Sequence, residues 1–97
     1  MNGRRYRVEL TRLAEKALRD LEQRLQRRIL TRIADLAVDP RPAGAERLQG
    51  SDVLRIRVGE HRIIYVVEDD RLLVLVLRIA HRRDAYRHLV RLRAHRS

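Results

Sequence analysis

The stretch that most restricts how this chain can fold is Leu54 to Tyr65, LRIRVGEHRIIY. Leu54, Ile56 and Val58 alternate with Arg55 and Arg57, the period-two pattern of a half-buried strand. Gly59-Glu60 follows, a pair suited to a type II′ turn with glycine first, and HRIIYVVE resumes as a second strand. A two-residue loop sets the register. Val58 then faces His61, and Arg57 faces Arg62. Directly opposed like charges cost a strand pair roughly a few tenths to one kcal/mol. An anion held between the two guanidiniums would offset that cost, because the planar fork of arginine matches phosphate oxygens two at a time.

The surrounding pattern predicts an α+β fold. Tyr6 to Leu10, YRVEL, alternates as a short strand, and Thr11 can cap a helix. Leu13, Ala14, Ala17, Leu18 and Leu21 form one helical stripe, and Leu25, Ile29, Ile33, Leu36 and Ala37 form a second. The interruption around Glu22 to Arg24 predicts two antiparallel helices with a bend there. DPRPAG, residues 39 to 44, ends the second helix. After the hairpin, Asp69-Asp70 turns the chain into a third strand, RLLVLVLRIA, whose continuous apolar run predicts burial on both faces. Asp84 can cap a last helix through AYRHLVRLRAH. The expected order is strand, two helices, three-stranded antiparallel meander, C-terminal helix, as one domain over residues 1–97. The first strand should join the free side of the third strand of the meander, giving a four-stranded sheet with the helix pair on one face. Leu54, Ile56, Val58, Ile63, Tyr65, Val74 and Val76 should lie under the helices. Arg55, Arg57 and Arg62 should point to the opposite face beside Ile64, Leu73 and Leu75, with the last helix covering part of it.

Charge says what such a face is for. The chain has 23 Lys and Arg against 13 Asp and Glu, a net charge of +10, which implies a polyanionic partner. There is no cysteine, so disulfides and thiolate metal sites are excluded. The longest apolar run, Leu72 to Leu77, is too short to span a bilayer, and no apolar segment follows the basic N-terminus. A soluble, cytoplasmic protein is expected. His81, His88 and His95 recur every seventh residue, but two helical turns separate neighbours by about 10 Å, too far for one metal.

The hairpin LRIRVGEHRIIY, the DPRP loop and the close AHRRDAY resemble the RelE/ParE toxin superfamily, most specifically RelE-type messenger RNA interferases, over about residues 5 to 90. The resemblance implies a toxin of a type II toxin–antitoxin system, a ribosome-dependent endoribonuclease that uses the substrate 2′-hydroxyl as nucleophile, with neither metal nor cofactor. A cognate antitoxin, the ribosome and messenger RNA are the partners it implies. Arg55 and Arg57 match the basic strand positions of the RelE site, Arg62 the arginine of the next strand, Arg82 the one after the last strand, and Tyr86 the C-terminal tyrosine. Arg57, Arg62 and Arg82 are expected to hold the scissile phosphate, with Arg55, Arg83 and Arg87 on neighbouring RNA. Tyr86 could stack on a base or anchor the last helix.

Family members often carry lysine at the positions of Arg55 and Arg57 and glycine at that of Ala80. Arginine keeps its proton, so an all-arginine site stabilises charge better than it deprotonates a hydroxyl. Histidine has the pKa for that task. His61 shares the face of Val58, away from Arg62, which makes His81 the expected proton-transfer group. Two other readings stay open: a ParE-type non-catalytic poison of DNA gyrase, and a basic RNA-binding module without catalysis.

Overall fold

The computed structural model describes residues 5–84. The elements run β1 (Arg7–Leu10), α1 (Arg12–Arg19), α2 (Gln23–Val38), β2 (Glu46–Arg47), β3 (Leu54–Val58), β4 (His61–Glu68), a single 3-10 turn (Asp69–Arg71) and β5 (Leu73–His81). Thr11 starts α1 and fastens it to the sheet. Its Oγ1 accepts the Ala14 N–H at 3.1 Å while its hydroxyl donates to the Leu77 carbonyl at 2.8 Å. The chain leaves α1 at Asp20 and enters α2 at Gln23, slightly before the break expected from the apolar stripe.

The sheet order is β1-β5-β4-β3-β2, with β1 parallel to β5 and the other pairs antiparallel. β5 is therefore flanked on both sides, as its apolar run requires. Among the described residues the sheet has five strands, where the alternation pattern predicts four. The fifth, β2, is two residues long and pairs only with Leu54 and Arg55, too short to show any period. Ala14, Ile29, Ile33 and Leu36 of the helices bury against Leu54, Ile56, Val58, Ile63, Tyr65, Val74 and Val76, so the helix-side face is the predicted one. On the other face Ile64 and Val66 cluster with Val53 and Leu77. Tyr65 is fully buried, and its hydroxyl donates to the Pro40 carbonyl at 2.8 Å, which ties the loop after α2 to the core. The expected last helix lies outside the described residues.

The hairpin turn has the expected chemistry: Gly59 takes φ 60°, in the left-handed region that glycine enters without strain. The pairing of β4 with β5 is less regular. Ile64 pairs with Arg78, but the next residue, Tyr65, pairs with Val76, so Leu77 is an extra residue on β5. Every side chain of β5 beyond that bulge changes face relative to simple alternation.

Candidate functional site

The two-residue turn places Arg57 directly opposite Arg62, and Arg55 two residues back along β3 on the same face. Arg57 is exposed, whereas Arg62 is only 9% exposed, held between Arg57 on β3 and Ala80 on β5. The bulge adds a fourth guanidinium. Arg78 pairs with Ile64, which pairs in turn with Arg55, so Arg78 joins the arginine face. Alternation from Val76 would send Arg78 to the core side, where its charge could not be accommodated. The sequence signal for this is the pair Arg78-Ile79, charged then apolar where simple alternation asks for the reverse.

Burial without pairing is the unusual property of this face. Among the described residues, Nε of Arg62 and Nε of Arg78 are buried and make no hydrogen bond. Arg62 Nη1 donates a long bond to its neighbour's carbonyl, His61 O, at 3.4 Å. Arg78 Nη2 donates to the Asp84 carbonyl at 3.2 Å. Unsatisfied buried donors are rare in native proteins. Chemically, these two Nε–H groups are suited to oxygen acceptors.

Two arginines of the set already hold carboxylates. Arg55 donates from Nε to Glu46 Oε1 at 2.8 Å and pairs with it through Nη2 as well. The hydrogen bond from Arg55 is the main cause holding Glu46 below the ordinary carboxylate range, and the charge of Arg57 and Arg62 adds to it. Arg82 lies one residue past β5, where its backbone N–H donates to the Glu60 carbonyl at 2.7 Å and its Nε pairs with Glu60 Oε1 at 3.0 Å. Both ion pairs are at least half open to solvent on one side, so an incoming polyanion can compete for them. Arg83 is exposed just beyond Arg82. Tyr86 and Arg87 lie outside the described residues.

His81 is not where alternation predicts. It pairs directly with His61, and the two rings meet edge to face with centroids 5.6 Å apart, so both imidazoles share the helix-side face, opposite the arginines. The reason for preferring His81 over His61 as proton-transfer group is thereby removed, and the cause is the bulge at Leu77. Nδ1 of His81 accepts the Arg83 N–H at 3.2 Å. Burial, then the neighbouring His81, hold His61 below the usual histidine range, with Glu60 opposing. The arginine face can therefore bind an anion and stabilise developing negative charge, and Glu46, held on Arg55, is a weakened base.

The family model for the ParE toxin of type II toxin–antitoxin systems matches residues 8–86. RelE1 of Methanocaldococcus jannaschii is 32% identical over 88 residues, covering 87% of this chain and 98% of that protein. The fold is similar to the RelBE2 toxin–antitoxin complex of Mycobacterium tuberculosis, with a TM-score of 0.74 at 24% identity over 82% of this chain and 94% of that one. It is also similar to the RelE–RelB complex of Pyrococcus horikoshii, with a TM-score of 0.69 at 29% identity over 79% of this chain and 94% of that one.

Proposed function

This chain belongs to the RelE/ParE superfamily and is a toxin of a type II toxin–antitoxin system, and from that premise we propose that it cleaves messenger RNA on the ribosome. The observation that carries the reading is the Arg57–Arg62 pair, with the Arg62 Nε buried and unsatisfied among the described residues. A phosphodiester between the two guanidiniums supplies the acceptors they lack and cancels their repulsion. In the cleavage step the 2′-oxygen bonds to the adjacent phosphorus and the P–O5′ bond breaks, giving a 2′,3′-cyclic phosphate and a 5′-hydroxyl. Arg57 and Arg62 bind the non-bridging oxygens, whose charge grows in the transition state; a donor so aimed is typically worth about 10²–10³ in rate. Water takes the 2′ proton and returns one to the 5′-oxygen, since both described histidines of this region face the helices. The rate should then climb with pH without levelling near the ordinary histidine pKa of about 6.5.

The solved relatives from M. tuberculosis and P. horikoshii are complexes with antitoxins, which supports an antitoxin partner here too. An acidic antitoxin segment is suited to the same arginines. A second reading, a non-catalytic poison of DNA gyrase, is favoured by the ParE description of the matching family model. Mapping transcript ends after induced expression separates the two. Cuts within translated frames support the ribonuclease, and intact transcripts with altered plasmid supercoiling support gyrase as target.

A further inference from the structure

β2 covers β3 only at Leu54 and Arg55, so the sheet edge is open from Ile56 to Val58. At this open edge Arg57, Val58 and Gly59 line a cleft of about 390 Å³ with Arg28, Thr31 and Arg32 of α2. Arg28 and Gly59 also line an adjoining cleft of about 410 Å³, with Arg24 on one wall and the His61–His81 pair on the other. The Arg28 guanidinium lies over the hairpin turn, its Nη1 3.5 Å from where a Cβ on Gly59 would stand. Arg24, Arg28 and Arg32 recur every fourth residue, which puts them on one stripe of the helix about 6 Å apart along its axis. That interval is comparable to the spacing of successive phosphates in an extended single strand. None of the three forms an ion pair among the described residues. Two carboxylates, Glu22 and Glu60, also border the second cleft, and Glu60 is held by Arg82.

Resting on the ribonuclease reading, we propose that these two clefts are a second RNA-binding surface: a single strand engaged by Arg57 and Arg62 passes round the open edge of β3 and lays its backbone along Arg32, Arg28 and Arg24. Arg57 belongs to both surfaces and joins them. One ring of the edge-to-face His61–His81 pair offers its face for a neighbouring base to stack on.

Anisotropy titrations with 2′-O-methyl oligoribonucleotides test this, because blocking the attacking hydroxyl leaves binding without cleavage. Probes of about 4 and about 12 nucleotides contrast the arginine face alone with the face plus clefts. The double variant Arg28→Ala/Arg32→Ala should weaken the long probe about tenfold and reduce its salt slope by about 0.7 per lost contact, with the short probe unchanged. Arg12→Ala, which removes an exposed charge on α1, measures the effect of net charge alone. An equal loss in Arg12→Ala, or an equal loss for both probe lengths, overturns the proposal. Unchanged binding of the long probe in the double variant also overturns it and leaves the ribonuclease reading intact. If wild-type protein binds neither probe, the clefts fail as an RNA-binding surface, while the ribosome-dependent reading stands or falls on the transcript-end mapping.

Discussion

Arg57 and Arg62 stand directly opposite each other on β3 and β4, one exposed and the other almost entirely buried. Solvent screens Arg57, but Arg62 has lost most of its water and gained one long backbone hydrogen bond. Its buried Nε is thus a cost that the folded protein carries.

Replacing Arg62 with methionine keeps most of the aliphatic stem and removes both the unsatisfied donor and the repulsion. We expect Arg62→Met to stabilise the free protein by about 1–3 kcal/mol. For a chain of this size each kcal/mol is worth about 4–8 °C in Tm. Toxicity should fall by about 10²–10³ on the same preparation. A variant that melts lower than wild type would mean that Arg62 is satisfied in the free protein, and the argument for a stored anion site would go with it.

Glu46 occupies Arg55 through two hydrogen-bonded nitrogens and is itself largely exposed. It therefore competes with an incoming phosphate. Glu46→Gln should tighten RNA binding and steepen its salt dependence, because that carboxylate no longer offsets the charge of Arg55. Stability should move by no more than about 0.5 kcal/mol, as is usual for exposed ion pairs. Unchanged affinity at low salt would show that Arg55 never meets the strand.

Legibility from sequence depended on how strongly each pattern was constrained. The two-residue turn at Gly59-Glu60 left one register, so the facing arginines and the whole helix-side core from Leu54 to Val76 could be read directly. β5 could not be read so well. From Leu72 to Leu77 every residue is apolar, so nothing in that run distinguishes its two faces, and the bulge at Leu77 is silent. The consequence fell on the site: Arg78 joined the arginines unannounced, and His81 turned away from them. Glu46 was missed because a two-residue strand has no period. Charge followed by an apolar residue at Arg78-Ile79 was the one available clue.

The Tyr65 hydroxyl ties the core to the loop at Pro40, and burial pushes its pKa up to about 12. Tyr65→Phe should cost about 1 kcal/mol, since it leaves a carbonyl without its donor. The linkage sign follows from a folded pKa above the unfolded value of about 10. This contribution is complete below about pH 10 and is lost as pH rises towards 12, because the unfolded chain releases the proton first. Absorbance titration at alkaline pH should show one late-ionising tyrosine that Tyr65→Phe removes. A Tyr65 ionising near the ordinary phenol value of about 10 would contradict the buried hydrogen bond.

His61 gives the opposite linkage at the acid side. Burial, followed by the ring of His81, lowers its pKa, while Glu60 works against both. The charged groups bordering it are Glu22, Arg24 and Arg28 from the α2 side, Glu60 in the turn and Arg82 beyond β5, where Glu60 is already engaged by Arg82. The folded state therefore prefers the neutral ring. As pH falls through the unfolded value of about 6.5, the unfolded chain takes up the proton first, so stability declines until the folded pKa is passed and then levels off. Denaturant titrations between about pH 5 and 8 should show this decline, and His61→Gln should flatten it. Proton NMR should place the His61 midpoint below that of a free imidazole. A stability that rises on acidification would mean that Glu60 outweighs burial, which requires the Arg82–Glu60 pair to be open in solution; Arg82→Ala should then amplify the rise, whereas it leaves the declining profile almost unchanged if burial dominates.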